Sequence, residues 1–555
     1  MKTRIILLFT LILIVKVILI AQAPDWQWAT QVGGIWIDYG RAITIDDAGN
    51  SYVTGSFQDI ATFGSYSLIS SGSLDIFVAK MDANGNWLWA TKAGGIWHDS
   101  GGGITIDDAG NTYVTGYFEG TAIFGSYSLI SSGENDIFVA KMDAIGNWQW
   151  ASKAGGIDGD CGYGITIDDT GNSYVTGYFR ETATFGSYSL TSHFNRDIFV
   201  AKMDANGNWL WATRAGGGYN DFGYGITIDG SWNSYVTGEF ENTATFGSFS
   251  LTSSGEHDIF VAKMDAIGNW LWATQAGGAD DDEGNGITID TVGNIYLTGF
   301  FWDTATFGSY TLTSSVLEDI FVAKMDADGN WLWATRAGGY GYDVGYAITI
   351  DEAGNSYVTG RFGGTAFFGS YSLISSSGSS DIFVAKMDAN GNWLWATQAG
   401  GSGYEDRGYG ITIDDAENCY VTGRFDGTAT FGSYSITSSG FADIFVAKLN
   451  SSVLAENYII PTKIGLSNFP NPFNPSTTIS FTTELTEGTE LSIYNIKGQK
   501  VKTINSFPNP DLSGGTREVV WNGNDDKGKP VSSGIYFYKL KTDNFEKTRK
   551  MILMK

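Results

Sequence analysis

Proline is nearly absent from most of this chain of 555 residues. Only one of the eight prolines, Pro24, precedes Pro461. Because proline has no backbone N–H to donate, its absence from residues 25–460 indicates that most N–H groups there serve β-sheet ladders. The 3.6-residue spacing of apolar residues that marks helices is also missing. The sequence therefore predicts an all-β fold for this region.

Histidine and cysteine are equally scarce. The three histidines, His98, His193 and His257, occur in unrelated sequence contexts. They predict neither a multi-histidine metal site nor a histidine-activated nucleophile. We expect Cys161 and Cys419 to face opposite ends of the fold and to remain unpaired. An exported protein of this size can depend on its core instead of disulfides.

Basic residues are outnumbered, with 33 Lys and Arg against 60 Asp and Glu. The excess lies in residues 24–450, which hold 50 acidic and 17 basic side chains, a net charge of −33. Residues 451–555 hold 10 and 13, a net charge of +3. An acidic body would repel phosphates, which argues against nucleic acid or an anionic membrane as partner. Cations and neutral glycans remain possible partners.

A long apolar run occurs only near the N-terminus, over residues 5–20. Lys2 and Arg4 precede it, Lys16 interrupts it, and the small-x-small sequence Ala-Gln-Ala ends at Ala23. This pattern predicts a secretory signal peptide over residues 1–23, with a retained anchor as the alternative. No other run is long enough to span a bilayer, so we expect no transmembrane span in the mature chain.

Four short segments recur seven times with a period of 61 or 62 residues. Ile-Thr-Ile-Asp begins at Ile43, Ile104, Ile165, Ile226, Ile287, Ile348 and Ile411. Tyr-Val/Leu-Thr-Gly begins at Tyr52, Tyr113, Tyr174, Tyr235, Tyr296, Tyr357 and Tyr420. Asp-Ile-Phe-Val-Ala-Lys begins at Asp75, Asp136, Asp197, Asp258, Asp319, Asp381 and Asp443. Trp-x-Trp-Ala begins at Trp26, Trp87, Trp148, Trp209, Trp270, Trp331 and Trp393.

The Trp26 segment has no Asp-Ile-Phe-Val-Ala-Lys before it, and the last repeat lacks a Trp-x-Trp-Ala segment. Glycine and asparagine turns join the segments into two hairpins, so each repeat reads as four strands. The circular shift predicts a seven-bladed β-propeller over residues 24–450, in which the N-terminal strand completes the last blade. Such closure removes the open sheet edge that invites aggregation.

The apolar runs predict how the blades pack. Ile76–Ala79 and Trp87–Ala90 are apolar at successive positions, as expected for strands covered on both faces. Fourteen of the 19 tryptophans lie in the Trp-x-Trp segments. We interpret them as core between blades, with carbohydrate stacking as the alternative interpretation.

The repeat resembles the bacterial SBBP β-propeller repeat family. The resemblance rests on Asp-Ile-Phe-Val-Ala-Lys-Met-Asp-Ala-Asn-Gly-Asn-Trp-Leu-Trp-Ala, then Gly-Gly, then Ile-Thr-Ile-Asp-Asp-Ala-Gly-Asn-Ser-Tyr-Val-Thr-Gly. It covers about residues 26–450 and implies a propeller, but the family resemblance implies no particular activity.

After a predicted linker over residues 451–465, a second domain is expected over residues 466–555. Short alternating strands and turns at Gly498, Gly523 and Gly528 predict a small Ig-like β-sandwich. The region resembles a type A sorting domain of the type IX secretion system, through the sequences Leu-Ser-Asn-Phe-Pro-Asn-Pro-Phe-Asn-Pro, Leu-Ser-Ile-Tyr-Asn-Ile-Lys-Gly-Gln and Gly-Ile-Tyr-Phe-Tyr. That resemblance implies the type IX machinery as partner and export to the surface or medium of a Gram-negative bacterium. An ordinary Ig-like accessory module is the alternative.

One aspartate precedes each Ile-Thr-Ile-Asp segment by five residues and is followed by glycine two residues later. These residues are Asp38, Asp99, Asp160, Asp221, Asp282, Asp343 and Asp406. We expect them to form a ring near the mouth of a central channel, where Ca²⁺ would be a suitable ligand. The alternative is that each carboxylate caps backbone N–H groups of its turn or of the next blade. The Asp-Asp-Ala-Gly-Asn sequence at residues 46–50 predicts a tight Asx-type turn.

Local departures from the repeat are the places where a site would lie. They include Trp97-His98, residues 193–196, Ser231-Trp232, residues 280–283 and residues 405–407. None places a nucleophile beside a base, and we interpret each as a solvated loop variation. The leading hypothesis is therefore an exported, non-enzymatic binding or adhesion scaffold for glycan or protein. The alternatives are an extracellular polysaccharide hydrolase or lyase and a structural surface-layer component.

Overall fold

The structure is a computed structural model that describes residues 24–376, 380–450, 466–481, 490–504, 517–541 and 546–554. The predicted signal peptide and linker lie outside these residues. Every helix or strand in the described part is a β-strand, which confirms the all-β prediction. No helix long and apolar enough to cross a membrane occurs in that part. The chain divides into two compact units at residues 453–454.

The first unit carries the repeats. Its strands in the first three repeats are β1 (Trp26–Val32), β2 (Tyr39–Ile45), β3 (Ser51–Phe63), β4 (Tyr66–Met81), β5 (Trp87–Ala93), β6 (Ser100–Ile106), β7 (Thr112–Phe124), β8 (Tyr127–Met142), β9 (Trp148–Ala154), β10 (Cys161–Ile167), β11 (Ser173–Phe185), β12 (Tyr188–Met203) and β13 (Trp209–Gly217). The next strands are β14 (Asp221–Ile228), β15 (Ser234–Phe246), β16 (Phe249–Met264), β17 (Trp270–Ala276), β18 (Asp282–Ile289), β19 (Ile295–Phe301), β20 (Thr304–Phe307), β21 (Tyr310–Thr313), β22 (Asp319–Met325) and β23 (Trp331–Gly339). The last are β24 (Val344–Ile350), β25 (Ser356–Gly363), β26 (Thr365–Phe368), β27 (Tyr371–Ile374), β28 (Ser380–Met387), β29 (Trp393–Gly401), β30 (Arg407–Ile413), β31 (Cys419–Phe431) and β32 (Tyr434–Leu449).

Antiparallel pairing joins these strands in groups of four, one group for each repeat. In chain order the groups are β2-β3-β4-β5, β6-β7-β8-β9, β10-β11-β12-β13, β14-β15-β16-β17, β18-β19-β22-β23, β24-β25-β28-β29 and β30-β31-β32-β1. We number the groups one to seven and the strands of each group first to fourth in that order. In groups five and six, the hairpins β20-β21 and β26-β27 replace the outer extensions of the two central strands.

The strand β1 pairs with β32 although more than 400 residues separate them. Trp28 lies opposite Lys448 and Val32 lies opposite Ile444. In the first group Trp89 lies opposite Lys80 in the same register. The Trp26 segment therefore takes the position of a fourth strand in the group that begins at Arg407, as its sequence predicted.

Neighbouring groups pack face to face. Each first strand contacts the first strand of the next group, and β30 of the seventh group contacts β2 of the first. Each hydrophobic cluster is shared between two groups, as where Tyr52 and Val78 of the first group meet Val114 and Phe138 of the second. Val32 and Tyr420 meet Val53 and Phe77 in the equivalent cluster between the seventh and first groups.

The fourth strands are less covered than their sequence predicted. Phe77, Val78 and Ala79 on a third strand are fully buried, as expected. Leu88, between the two tryptophans of a fourth strand, is 43% exposed, so the expectation of burial on both faces is wrong there. The fourth strand is the outer edge of its group, and its two tryptophans pack into different clusters. Trp87 packs against the cluster shared with the seventh group, and Trp89 packs against the cluster shared with the second, where it meets Tyr52 edge to face at 6.2 Å.

The second unit contains two antiparallel sheets. Its strands are β33 (Leu466–Phe469), β34 (Thr477–Phe481), β35 (Glu490–Asn495), β36 (Lys500–Ile504), β37 (Arg517–Trp521), β38 (Gly534–Lys541) and β39 (Glu546–Leu553). The sheet orders are β33-β34-β37 and β36-β35-β38-β39. Ile479 and Trp521 of one sheet share a core with Ile493, Leu540 and other residues of the second sheet.

Deletion of residues 24–32 tests the pairing of β1 with β32. The deletion leaves one edge of β32 unpaired and removes the buried side chains of Trp26 and Val32. We expect the free energy of unfolding to fall by at least about 5 kcal/mol, since loss of one buried tryptophan alone typically costs ~3–5 kcal/mol. Calorimetric unfolding measures the change. A synthetic peptide of residues 24–33 should restore the transition and a scrambled peptide should not; equal effects of the two peptides would contradict the pairing.

Candidate functional site

The seven aspartates singled out in the sequence are buried where the chain crosses from one group to the next. Each is at most 1% exposed. Asp99 accepts hydrogen bonds from the backbone N–H of Gly95 on Oδ2, at 2.6 Å, and of Glu119 on Oδ1, at 3.1 Å. The equivalent two bonds occur at Asp38, Asp160, Asp221, Asp282, Asp343 and Asp406. Each carboxylate thus ties the incoming connection to the second strand of its own group.

A second buried aspartate, the first residue of Asp-Ile-Phe-Val-Ala-Lys, lies beside each of the seven. Asp75 Oδ2 accepts from Lys92 Nζ at 2.6 Å, whereas its Oδ1 is buried and has no hydrogen-bond partner among the residues that the structure describes. Within the same residues, unpartnered Oδ1 atoms recur at Asp136, Asp197, Asp258, Asp319, Asp381 and Asp443. A Cβ on Gly94, whose φ is +142°, would lie 2.9 Å from both Asp75 Oδ1 and Asp99 Oδ2. Glycine is therefore required between the two carboxylates.

The surroundings favour the protonated form of these aspartates. Burial is the largest cause that raises the pKa of Asp99 to about 7, and the nearby Asp75 adds to it, whereas the two N–H bonds oppose it. The same causes raise the pKa of Asp221 to about 8. The hydrogen bonds are those that the capping interpretation predicts. In the part of the chain that the structure describes, no three His, Cys, Asp or Glu side chains come together as metal ligands, and Ca²⁺ binding stays a prediction.

The turns at the other end of the first strands have the predicted Asx form. Asp46 Oδ1 accepts from the backbone N–H of Ala48 at 3.1 Å and of Asn50 at 2.8 Å. We call this end the hairpin end and the opposite end, where the chain crosses between groups, the connection end. Cys419 lies near the hairpin end and Cys161 near the connection end, and both thiols are buried and free.

A central cavity of about 490 Å³ is lined by residues from all seven groups. In every group the residue three positions after the buried aspartate lines the cavity, and that residue differs between repeats. These residues are Arg41, Gly102, Tyr163, Tyr224, Asn285, Tyr346 and Tyr409, with Gly102 the member that has no side chain. The cavity is therefore mostly aromatic and asymmetric, although the strands around it are nearly identical.

Acidic residues gather at the connection end of groups four and five. Glu239 accepts a hydrogen bond from the Tyr224 hydroxyl at 2.9 Å. Burial, followed by the repulsion of Glu239, raises the pKa of Glu283 well above its usual value. His257 Nδ1 lies 2.7 Å from the Asp281 carboxylate. Burial lowers the pKa of His257, but Asp281 and its acidic neighbours outweigh burial, so that the net shift is upward.

Arginines gather at the connection end of groups six and seven. Arg407 Nη2 lies 2.6 Å from Glu405 Oε2, and Arg424 Nη2 contacts the same oxygen. Arg361 Nη1 lies 3.7 Å from Glu405 Oε1. We call Arg361, Arg407 and Arg424 the arginine triad. The connection end is thus acidic on one side and basic on the other.

Exposed aromatic side chains surround the same end. They lie on the connections that lead into groups one, two, four, six and seven, and we call them the aromatic set. Its members are Trp36 (44% exposed), Trp97 (51%), Tyr219 (48%), Tyr340 (74%), Tyr342 (52%) and Tyr404 (88%). The sequence analysis singled out three segments at this end that differ from the repeat, around His98, Asp281 and Arg407, but interpreted each as a separate solvated loop. Comparison of equivalent positions in the repeats would have shown that all three lie at the connection end.

Two family models match the chain. The model described as a beta-propeller repeat, SBBP, matches residues 27–56, 271–299, 332–361 and 394–424. The model described as a secretion system C-terminal sorting domain matches residues 467–554. The chain therefore carries SBBP β-propeller repeats followed by a type IX sorting domain, as the resemblances in its sequence predicted.

Among curated proteins, the chain is similar to an uncharacterized WD repeat-containing protein of Acanthamoeba polyphaga mimivirus. The identity is 26%, over 72% of this chain and 36% of the relative. Regulatory protein FlaEY of Caulobacter vibrioides is 27% identical over 51% of this chain and 32% of its own length. The chain thus spans about a third of the length of these curated relatives.

Two solved structures from the type IX secretion system of Porphyromonas gingivalis also match. PorZ, described as an essential surface component of that system, matches at 10% identity over 95% of this chain and 100% of its own, with a TM-score of 0.15. Latent PorU, described as dimeric, matches at 11% identity over 64% of this chain and 31% of its own, with a TM-score of 0.17. TM-scores this low carry no argument about the fold.

The substitution Asp99→Ala tests the structural part of the buried aspartates. It leaves the N–H groups of Gly95 and Glu119 without their partner in a buried position. Each such group costs ~1–3 kcal/mol, so we expect the free energy of unfolding to fall by about 2–6 kcal/mol. Asp108→Ala, at an exposed turn position, is the matched control and should change it by less than ~0.5 kcal/mol. Equal effects in denaturant titrations would refute the capping role.

Proposed function

We propose that the chain is an exported surface protein whose repeat unit binds a glycan or a protein at the connection end. The observation that carries this proposal is the aromatic set around the central cavity. Large exposed apolar side chains grouped on one face are typical of interaction sites. Aromatic rings combine a flat apolar surface with little conformational entropy to lose, which suits contact with sugar rings or with a protein.

The architecture on which this proposal rests is a seven-bladed propeller closed by β1. Three observations support it: the pairing of β1 with β32, the contact of β30 with β2, and a cavity lined by all seven groups. For the second unit, we propose an Ig-like sandwich, supported by two antiparallel sheets around one core. The proposed address is the outer surface or the medium of a bacterium with a type IX secretion system, and the support is the sorting domain.

Hydrolysis or elimination on a polysaccharide is the second candidate function. Its support is the pair Glu239 and Glu283 at the connection end. Burial raises the pKa of both carboxyl groups, and repulsion by Glu239 raises that of Glu283 further. Paired carboxyl groups with different proton affinities can act as general acid and base. Binding without turnover is the preferred proposal, because the aromatic set extends over five connections whereas the two glutamates lie at groups four and five alone. New reducing ends or unsaturated products from a polysaccharide panel would favour the enzyme.

Weak Ca²⁺ binding at the seven buried aspartates is kept as a separate proposal. Seven unpartnered Oδ1 atoms beside these aspartates are oxygen ligands of the kind that Ca²⁺ prefers. Without a cation, each Oδ1 atom would accept a hydrogen bond if the neighbouring carboxyl were protonated. The raised pKa of Asp99 favours that protonated form.

Binding at the connection end is tested with the full mature chain and the variant Trp97→Ala. We expect this variant to bind a glycan or protein ligand from a screening panel about 2- to 13-fold more weakly, the equivalent of ~0.5–1.5 kcal/mol for one aromatic contact. The control is Trp232→Ala, because Trp232 is 39% exposed but lies in a turn at the hairpin end. Isothermal titration measures both. Weaker binding by Trp232→Ala alone would place the ligand at the wrong end and reject the proposal.

Deletion of residues 466–555 tests the address. The repeats form a compact unit of their own, so we expect the shortened chain to fold and to accumulate in the periplasm. Immunoblots of periplasm, cell surface and medium measure its distribution. The complementary chain, a periplasmic reporter fused to residues 451–555, should reach the outside. Export of the shortened chain at the normal level would reject the sorting assignment.

A further inference from the structure

A cleft of about 410 Å³ lies at the connection end between the seventh group and the connection into the first. Ile37, Tyr404 and Phe441 provide its mostly apolar wall, and these three are 37%, 88% and 64% exposed. Its charged lining residues are Arg424, Glu405 and Asp426, and Asp426 Oδ2 already accepts the backbone N–H of Tyr404. The volume falls in the range of ~300–1,000 Å³ that is usual for small-molecule sites.

One member of the arginine triad, Arg424, lines this cleft, and Arg361 and Arg407 are joined to it through Glu405. The side chains of Arg361, Arg407 and Arg424 are 17%, 21% and 15% exposed, so all three are largely withdrawn from solvent. They converge on one carboxylate, that of Glu405, which is 39% exposed. Arg361 also lies 3.9 Å from Glu318. Three guanidinium groups thus face the carboxylates of Glu405 and Glu318. Glu405 is the nearer of the two and the more exposed to solvent.

The hydrogen-bonding capacity of the triad is not used up. The Nε atoms of Arg361, Arg407 and Arg424 are buried, and none of them has a hydrogen-bond partner among the described residues. Each guanidinium carries five donors in a planar fork that matches a carboxylate. Unused buried donors cost free energy, so an added acceptor in this place gains more than it would at an exposed arginine.

Glu405 occupies the position on the arginine triad that the carboxylate of a ligand would take, so it would compete with such a ligand. It comes from the connection rather than from a strand of the group, and Tyr404 beside it donates its backbone N–H to Asp426 Oδ2 at 2.9 Å. A ligand carboxylate that displaced Glu405 would meet the same arginines. Glu405 would then move to solvent, where its charge is hydrated.

We propose that this cleft binds a uronic acid residue of an acidic polysaccharide, with its carboxylate on the arginine triad and its sugar ring against Tyr404 and Phe441. The inference rests on the proposed binding function and names the chemical class of its ligand. The two cases, a uronic acid in this cleft and a neutral glycan on the aromatic set, are distinguished experimentally by the charge of the ligand.

The test uses titration calorimetry on the full mature chain with two probes, tetragalacturonate and its fully methyl-esterified form. The ester replaces each carboxylate by an uncharged methyl ester and leaves the sugar rings unchanged. We expect the free acid to bind at least tenfold more tightly. A sulfated galactan tetramer without carboxyl groups serves as the third probe, and tighter binding of the sulfate than of the uronate would overturn the assignment to a carboxylate.

Two substitutions in the triad and one competitor variant locate the site. Arg361→Gln and Arg424→Gln should each weaken tetragalacturonate binding about tenfold or more, as expected for loss of a charged hydrogen bond. Arg180→Gln is the control, because Arg180 lies at the connection end of group three and is 46% exposed. Glu405→Gln should tighten binding, whereas a purely structural function of Glu405 predicts no gain. If the arginine variants fail to fold, Tyr404→Ala takes their place in the test. Tyr404 is exposed, so this variant should fold and should bind tetragalacturonate more weakly.

The outcomes separate the two proposals. Equal affinity for the free acid and the ester, with loss in Trp97→Ala, would overturn the uronate site and leave the binding function in place. No binding of either probe would overturn the uronate site, and the wider panel of glycans and proteins would then decide the binding function. Tighter binding of the acid, lost in Arg424→Gln and gained in Glu405→Gln, would support both.

Discussion

Each four-strand group has two apolar faces, and only another group on each side can cover both. Phe77, Val78 and Ala79 are apolar at successive positions and fully buried, which is possible only between two neighbours. A row of such groups would leave one face bare at each end. Here β1 pairs with β32, and Val32 of the seventh group packs in one cluster with Val53 of the first.

The connections between groups follow from the same packing. Two carboxylates are buried at each crossing, and the glycine between them leaves no space for a side chain. Such crossings are costly to alter, so their sequence is repeated in every group. Other residues of the connections face the cavity or the solvent and carry no such constraint. Several differences between repeats lie among them, including the aromatic set and Glu405.

The repeat period, the turns and the pairing of the Trp26 strand could be predicted from the sequence, because each depends on local pattern. The exposure of Leu88 could not, because a register shift in the fourth strand lets Trp87 and Trp89 pack into different clusters. The triad could not be predicted either: Arg361 and Arg424 are more than 60 residues apart, and each looks like a surface arginine. Only their equivalent positions in adjacent repeats bring them to one carboxylate.

The net charge of the repeat region, −33, argues against partners that carry many phosphates, but it does not decide the charge of a ligand that fills one cleft. The aspartates of the Asx turns lie at the hairpin end, about 20 Å from the connection end, at ~3.3 Å per strand residue. Salt screens exposed charges beyond ~8 Å at physiological ionic strength. The potential in the cleft is therefore set by the arginine triad, Glu405 and Asp426, and not by the net charge of the whole repeat region.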